Sequence, residues 1–128
     1  MSIKESFQGL EIWRRTTLDL VRKNDEADLS ARQMAVLLNV YLTRPPHTVR
    51  KLSADLNISK PAVTRAVDRL SLLGFVKRKT DAKDRRSVDL SRTVAGAAYV
   101  HMLGEAIVSA RQNAALPEIL NDMETDFT

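Results

Sequence analysis

Apolar side chains recur every three or four residues over five stretches of the chain, which is the spacing of helices that bury one face. These predicted helices cover residues 3–23, 30–44, 48–57, 59–73 and 93–114, and Pro117 begins a short sixth helix. Between the fourth and fifth helices, residues 75–79 and 87–91 read as two short strands, with Val76, Val88 and Leu90 facing inward. The pattern predicts a mainly α-helical fold with one small antiparallel β-hairpin.

Residues 48–91 hold two of these helices, a tight turn and the hairpin, with almost no linker between them. Thr48 and Ser59 are suited to cap the two helices, and Asn57 tolerates the left-handed conformation in which many helices end. A helix-turn-helix lays its second helix in the major groove of DNA. We therefore expect residues 59–73 to form a recognition helix and residues 75–91 to form a wing behind it.

The predicted recognition helix has an apolar face and a small, polar, cationic face. The second face suits a DNA groove, because bulky side chains would hold the helix away from the base edges. We expect Arg65, with Thr64 and Lys60, to contact base edges, whereas Ser59 and Arg69 favour phosphates. The residues predicted to bind DNA here are Ser59, Lys60, Pro61, Thr64, Arg65 and Arg69.

The tip of the hairpin gathers positive charge at Lys83, Arg85 and Arg86. Asp84 stands two residues before Arg86, so its carboxylate can orient that guanidinium before DNA binds. A narrow, A·T-rich minor groove favours an inserted arginine over a lysine. An ordinary solvated hairpin tip is the alternative, but the position directly behind a helix-turn-helix favours a wing that reaches a phosphate or the minor groove.

Residues 28–97 resemble the winged-helix core of the MarR (multiple antibiotic resistance regulator) family. The matching residues are Asp28-Leu29-Ser30 with Gln33, the run Leu52 to Leu56, Ser59 to Arg65, Asp68-Arg69-Leu70, Gly74-Phe75-Val76 with Arg78, Asp84-x-Arg86-Ser87 with Leu90, and Thr93-x-x-Gly96. The resemblance implies a dimeric repressor or activator that binds a pseudo-palindromic operator and is often released by a small-molecule effector. Arg92 departs from the pattern, since such wings usually place an apolar residue there, and this predicts a frayed end of the second strand.

The terminal helices, at about 3–23 and 94–127, are expected to join those of a second copy in a homodimer. Small residues along the last long helix let helix axes approach closely, and Trp13 is expected to pack in the core or in an interface. We expect a single winged-helix domain over residues 1–128, with a DNA-binding core at about 30–92.

Positive charge is concentrated on the predicted DNA-binding segment. Residues 47–92 contain twelve lysines or arginines and five acids, a net charge of +7, whereas the remaining residues carry −3. A basic stripe of this kind is the electrostatic signature of a nucleic-acid-binding surface. Double-stranded DNA is therefore the expected partner.

Other function classes lack a signal in the sequence. There is no cysteine, and no nucleotide-binding, metalloprotease or nucleophile motif occurs, so we expect no enzyme activity, no metal and no cofactor. His47 is expected at the surface, and His101 lies mid-helix. The longest apolar stretch, residues 34–42, is too short to cross a bilayer, and no signal peptide is visible, which predicts a cytoplasmic protein without membrane contact. The alternative is a winged helix that binds another protein without specific DNA binding.

Overall fold

The computed structural model describes residues 1–23, 27–80, 83 and 87–122 of the 128-residue chain. Its elements follow the order predicted from the sequence. They are α1 (Ile3–Arg22), α2 (Ala31–Leu42), α3 (Val49–Leu56), α4 (Lys60–Leu72), β1 (Val76–Thr80), β2 (Val88–Arg92) and α5 (Val94–Asn113). The mainly helical fold with a two-stranded antiparallel sheet is confirmed. None of the described helices is both long and apolar enough to cross a membrane.

The helix boundaries follow local capping chemistry. Ser2 and Ser30 each form a reciprocal capping box, with Glu5 and Gln33 respectively. The hydroxyl of Thr48 accepts a hydrogen bond from the backbone N–H of Lys51 at 3.1 Å, and the hydroxyl of Ser59 accepts one from Ala62 at 3.2 Å. Asn57 ends α3 at φ 52°, in the left-handed conformation that its short polar side chain tolerates. These local signals explain why the helices begin and end close to the predicted positions.

The chain divides into two compact units. One comprises Met1–Glu26 with Met102–Thr128, and the other comprises Ala27–His101. α5 passes from the second unit into the first without a break in the helix. In the first unit, the backbone N–H of Leu120 donates to the carbonyl of Pro117 at 3.0 Å, and residues 120–122 are helical.

The unit Ala27–His101 is built on a core shared by α2, α3, α4 and the wing. The inward face predicted for α4 is confirmed. The side chains buried in this core include Val36, Leu37, Val40, Leu52, Val63, Ala66, Val67, Leu70, Val76 and Leu90. This packing presents the opposite face of α4 to solvent.

The two wing strands lie one residue later than predicted and pair antiparallel from Val76↔Arg92 to Thr80↔Val88. The predicted fraying at Arg92 is wrong, because β2 extends to that residue. The guanidinium of Arg92 donates to the carbonyls of Val40 at 2.9 Å and Thr43 at 3.0 Å. A cation is favourable at the carbonyl end of a helix, so Arg92 fastens β2 to the last turn of α2.

The segment before α3 is also attached to the wing. It contains a cis Pro45–Pro46 peptide bond, and the carbonyl of His47 accepts a hydrogen bond from the N–H of Leu90 at 2.8 Å. Thr48 and Asp89 form an antiparallel bridge. The surface position expected for His47 is wrong, since its side chain is only 4% exposed. The imidazole is buried because this bridge draws the loop against β2.

Candidate nucleic-acid interface

The solvent-facing side of α4 carries the predicted recognition residues. Lys60, Pro61, Thr64 and Arg65 are exposed, whereas the intervening Ala62 and Val63 are buried. The exposed side chains are short or cationic, so the helix can approach the floor of a groove closely. Ser59, exposed at the N-cap, adds a hydroxyl beside the partial positive charge of the helix N-terminus, a position that favours an anion.

A groove of about 590 Å³ lies between α4, the start of α3 and the start of β2. Lys60 and Thr64 line it from α4, and Arg50 lines it from the first turn of α3. Its full lining comprises Thr48, Val49, Arg50, Lys60, Thr64, Ser87 and Val88. The recognition helix and the base of the wing therefore share one concave, cationic surface. Arg50 was not among the residues predicted to bind DNA, and only its place in the basic segment pointed to it.

An ion pair links the exposed face of α4 to the wing. The guanidinium of Arg78 on β1 donates to the carboxylate of Asp68, and the two side chains are 40% and 59% exposed respectively. The arginine compensates the negative charge that Asp68 places on the recognition face. In the sequence, Arg78 was named only as one of the residues that match the family. Its contact with Asp68 could not be predicted, because the periodicity of apolar residues does not show which helix residue a strand residue contacts.

Arg69 lies at the edge of the recognition face and is half-buried. Its guanidinium donates to the carbonyl of Ala27 at 3.3 Å, which ties α4 to the segment before α2. This contact gives Arg69 a structural role. Its predicted contact with a phosphate stays a prediction.

The structure describes both strands of the basic wing and one residue of its tip. Lys77, Arg78 and Lys79 on β1 are exposed, and so is Lys83. Asp84, Arg85 and Arg86 lie outside the described residues, so their predicted roles rest on the sequence alone.

A buried histidine lies next to the groove. The Nε2 atom of His47 is buried and has no hydrogen-bond partner among the described residues. Burial lowers the pKa of His47, and the positive charges of Lys51 and Arg92 lower it further, although the backbone of Thr43 and the charge of Asp89 act in the opposite direction. The neutral imidazole is thus the form that the fold favours.

The described residues bring together no group of three histidines or acids that could hold a metal ion. The arrangement they do form is a cationic concave surface around an exposed helix. Such a surface can bind a polyanion, and the small side chains on α4 can reach into a groove.

Comparison with known proteins agrees with this arrangement. Residues 29–88 match the family model described as MarR family. The uncharacterized HTH-type transcriptional regulator YkoM of Bacillus subtilis (strain 168) is 32% identical over 80 residues, which are 62% of this chain and 51% of that protein. The chain thus spans about half the length of this relative.

Solved structures extend the likeness of fold beyond the matched segment. A MarR transcriptional regulator from Methanosarcina mazei Go1 superposes with a TM-score of 0.61 at 24% identity, over 91% of this chain and 88% of that one. The S. aureus MepR–DNA complex gives a TM-score of 0.64 at 18% identity, over 91% of this chain and 92% of that one. Over residues 29–88, which include the winged helix, the chain is similar to the MarR family.

Proposed function

We propose that this protein is a sequence-specific transcriptional regulator that binds double-stranded DNA. The observation that carries the proposal is the concave cationic surface formed by α4, the start of α3 and the wing. In this proposal α4, capped by Ser59, enters the major groove, and the wing contacts the backbone or the minor groove. The protein acts by binding and not by catalysis.

Two comparisons support DNA as the partner. MepR of S. aureus, which shares this fold, was crystallised as a complex with DNA. YkoM is named as an HTH-type transcriptional regulator. The concentration of positive charge on residues 47–92 is independent of both comparisons, and it favours DNA over the alternative of a winged helix that binds only another protein.

The proposed roles follow from side-chain chemistry. Arg65 is exposed on α4 and can donate two hydrogen bonds to O6 and N7 of a guanine. Lys60 and Thr64 lie beside it at the groove, whereas Ser59 and Arg50 suit phosphates. At the wing tip, the proposed contacts are Lys83, Arg85 and Arg86, with Asp84 orienting Arg86.

We also propose that the regulator is a homodimer joined through its terminal helices. In the unit Met1–Glu26 with Met102–Thr128, an open cavity of about 640 Å³ is lined mainly by apolar residues of α1 and of residues 117–119. Leu10, Trp13 and Ile119 line it and are 56%, 54% and 59% exposed in the single protomer. Apolar surface of this kind is normally covered by a partner.

The dimer is tested by deleting residues 1–23. The truncated protein should be monomeric or aggregated in sedimentation velocity runs, while the intact protein sediments as a dimer. A stable, well-folded monomer of the intact protein would reject the dimer.

Two recognition helices related by a two-fold axis would meet major grooves about 34 Å apart and would read a pseudo-palindromic operator. A small-molecule effector and a cytoplasmic location stay predictions.

DNA binding is tested in two steps. Selection from a library of random duplexes should enrich a palindromic sequence, and fluorescence anisotropy then measures its affinity at increasing salt. Contacts with phosphates predict a linear fall of log K with log salt, with a slope of about −0.9 per contact. Arg50→Ala, which removes a proposed phosphate contact, should make this slope shallower, whereas Lys4→Ala, which removes one positive charge from the other compact unit, should leave it unchanged. A salt-independent interaction, or no enriched sequence, would favour the protein-binding alternative.

A further inference from the structure

One hydroxyl group joins three separate elements of the unit Ala27–His101. Tyr41, near the end of α2, donates from its hydroxyl to the carbonyl of Phe75 at 2.7 Å and accepts from the N–H of Thr93 at 2.9 Å. The carbonyl of Thr93 lies 3.2 Å from the same oxygen. Phe75 belongs to the turn between α4 and β1, and Thr93 immediately precedes α5. The hydroxyl therefore holds the start of α5 against the turn that follows the recognition helix.

The first turn of α5 is shaped to fit this hydroxyl. A Cβ atom added at Gly96 would overlap both the Tyr41 hydroxyl and the Phe75 carbonyl, so only glycine allows the approach. Thr93 adds two hydrogen bonds: its hydroxyl donates to the carbonyl of Gly74 at 2.6 Å and accepts from the N–H of Gly96 at 2.9 Å.

Aromatic packing continues the contact one turn further along α5. The rings of Phe75 and Tyr99 stack with their centroids 4.3 Å apart and an interplanar angle of 18°. The guanidinium of Arg92 lies over the Tyr41 ring, 5.9 Å from its centroid. The first two turns of α5 thus contact α2, through Tyr41, and the turn that follows α4, through Phe75.

We infer that Tyr41 is a positioning residue for the recognition helix. Its hydroxyl fixes the direction in which α5 leaves the winged helix, and α5 continues without a break into the terminal unit that we propose to form the dimer. In a two-fold dimer, this direction sets the separation of the two recognition helices. Tyr41 touches no DNA in this proposal and acts only through α5. The inference rests on the proposed function.

A positioning role and a merely stabilising role of Tyr41 predict losses of affinity for different DNA duplexes. Loss of the hydroxyl should leave the surface of each winged helix intact, so binding to a single half-site should be unchanged. Binding to a palindrome requires both recognition helices at the correct separation, since a misplacement of a fraction of an ångström is enough to weaken a prearranged site. A stabilising role would instead weaken binding to both kinds of duplex in proportion.

The test compares Tyr41→Phe with the wild-type protein on three duplexes: the selected palindrome, a single half-site, and palindromes with one base pair added or removed between the half-sites. We expect Tyr41→Phe to lose about tenfold in affinity for the palindrome, roughly what loss of the hydroxyl's hydrogen bonds would give. The half-site affinity should stay within about twofold, and the preference for the native spacing should weaken. Gly96→Ala should show the same pattern more strongly, because its Cβ must displace α5.

Thr43→Val is the matched control. It removes a hydroxyl from the same end of α2, but that hydroxyl donates only within the helix, to the carbonyl of Asn39 at 2.6 Å. The control should bind all three duplexes like the wild-type protein. Equal affinity of Tyr41→Phe and wild type for the palindrome, or equal losses on palindrome and half-site, would overturn the positioning role. A wild-type protein that does not prefer the palindrome over random DNA would instead contradict the proposed function.

Discussion

Replacing Arg78 with alanine should weaken DNA binding more than it weakens the fold. Arg78 is the partner of Asp68, the one acid on the exposed face of α4, and both side chains are substantially exposed. Exposed ion pairs contribute about 0.2–1 kcal/mol to stability, because water screens the attraction. We therefore expect Arg78→Ala to reduce the free energy of unfolding by less than about 1 kcal/mol.

Arg78→Ala should change the free energy of DNA binding more than the free energy of unfolding, because two unfavourable electrostatic effects on binding add. The variant removes a cation from the interface and leaves the negative charge of Asp68 uncompensated on the face that meets the phosphates. The loss should be about 1–2 kcal/mol at low salt, a factor of about 5 to 30 in affinity, and it should shrink as the salt concentration rises. Asp68→Asn in the Arg78→Ala background removes the exposed negative charge, so the double variant should recover part of the affinity.

Urea unfolding measures the change in the free energy of unfolding, and fluorescence anisotropy on the selected palindrome measures the change in affinity for DNA. The reasoning is refuted if the double variant binds no better than Arg78→Ala alone. It is also refuted if the loss of unfolding free energy equals the loss of binding free energy, since the pair would then act only through stability.

Three further predictions concern single sites. Arg65→Ala should cost about 1–3 kcal/mol on the selected site and much less on random duplex; equal losses would reduce Arg65 to a phosphate contact. Arg86→Ala should weaken binding and flatten the salt slope by about one unit with little change in major-groove preference, and Asp84→Ala should weaken it too; tighter binding by the latter would show that Asp84 does not orient Arg86. His47 has a lowered pKa, so the unfolded chain binds more protons as the pH falls below about 6.5, and stability should fall by up to about 1.4 kcal/mol per pH unit down to the folded-state pKa. Urea unfolding should show this fall for the wild-type protein and a flatter profile for His47→Gln; parallel profiles would contradict it.

Much of the fold could be predicted because its signals are local. The capping residues Ser30, Thr48 and Ser59 act on N–H groups within three residues of themselves, and the buried face of α4 follows from its own periodicity. The strand limits were one residue early because pairing in the ladder decides where strands begin and end.

The remaining features depend on contacts between residues far apart in the sequence. The Tyr41 hydroxyl meets Thr93, which lies 52 positions away, and Arg92 reaches the carbonyl of Val40 across the same separation. Burial of His47 depends on the bridge between its loop and β2. No periodicity or cap residue encodes such pairs. The contact of Arg69 is of the same kind, since its guanidinium donates to the backbone carbonyl of Ala27, 42 positions away in the sequence.

The central claim, that α4 reads the major groove, is tested most directly by dimethyl sulfate interference on the selected palindrome. The reagent methylates N7 of guanine in the major groove and N3 of adenine in the minor groove. We predict that guanine methylation blocks binding in two patches about 10 base pairs apart, one per recognition helix, and that Arg65→Ala removes the strongest of these positions in each half-site. Interference confined to minor-groove adenines, or none at either position, would contradict the account.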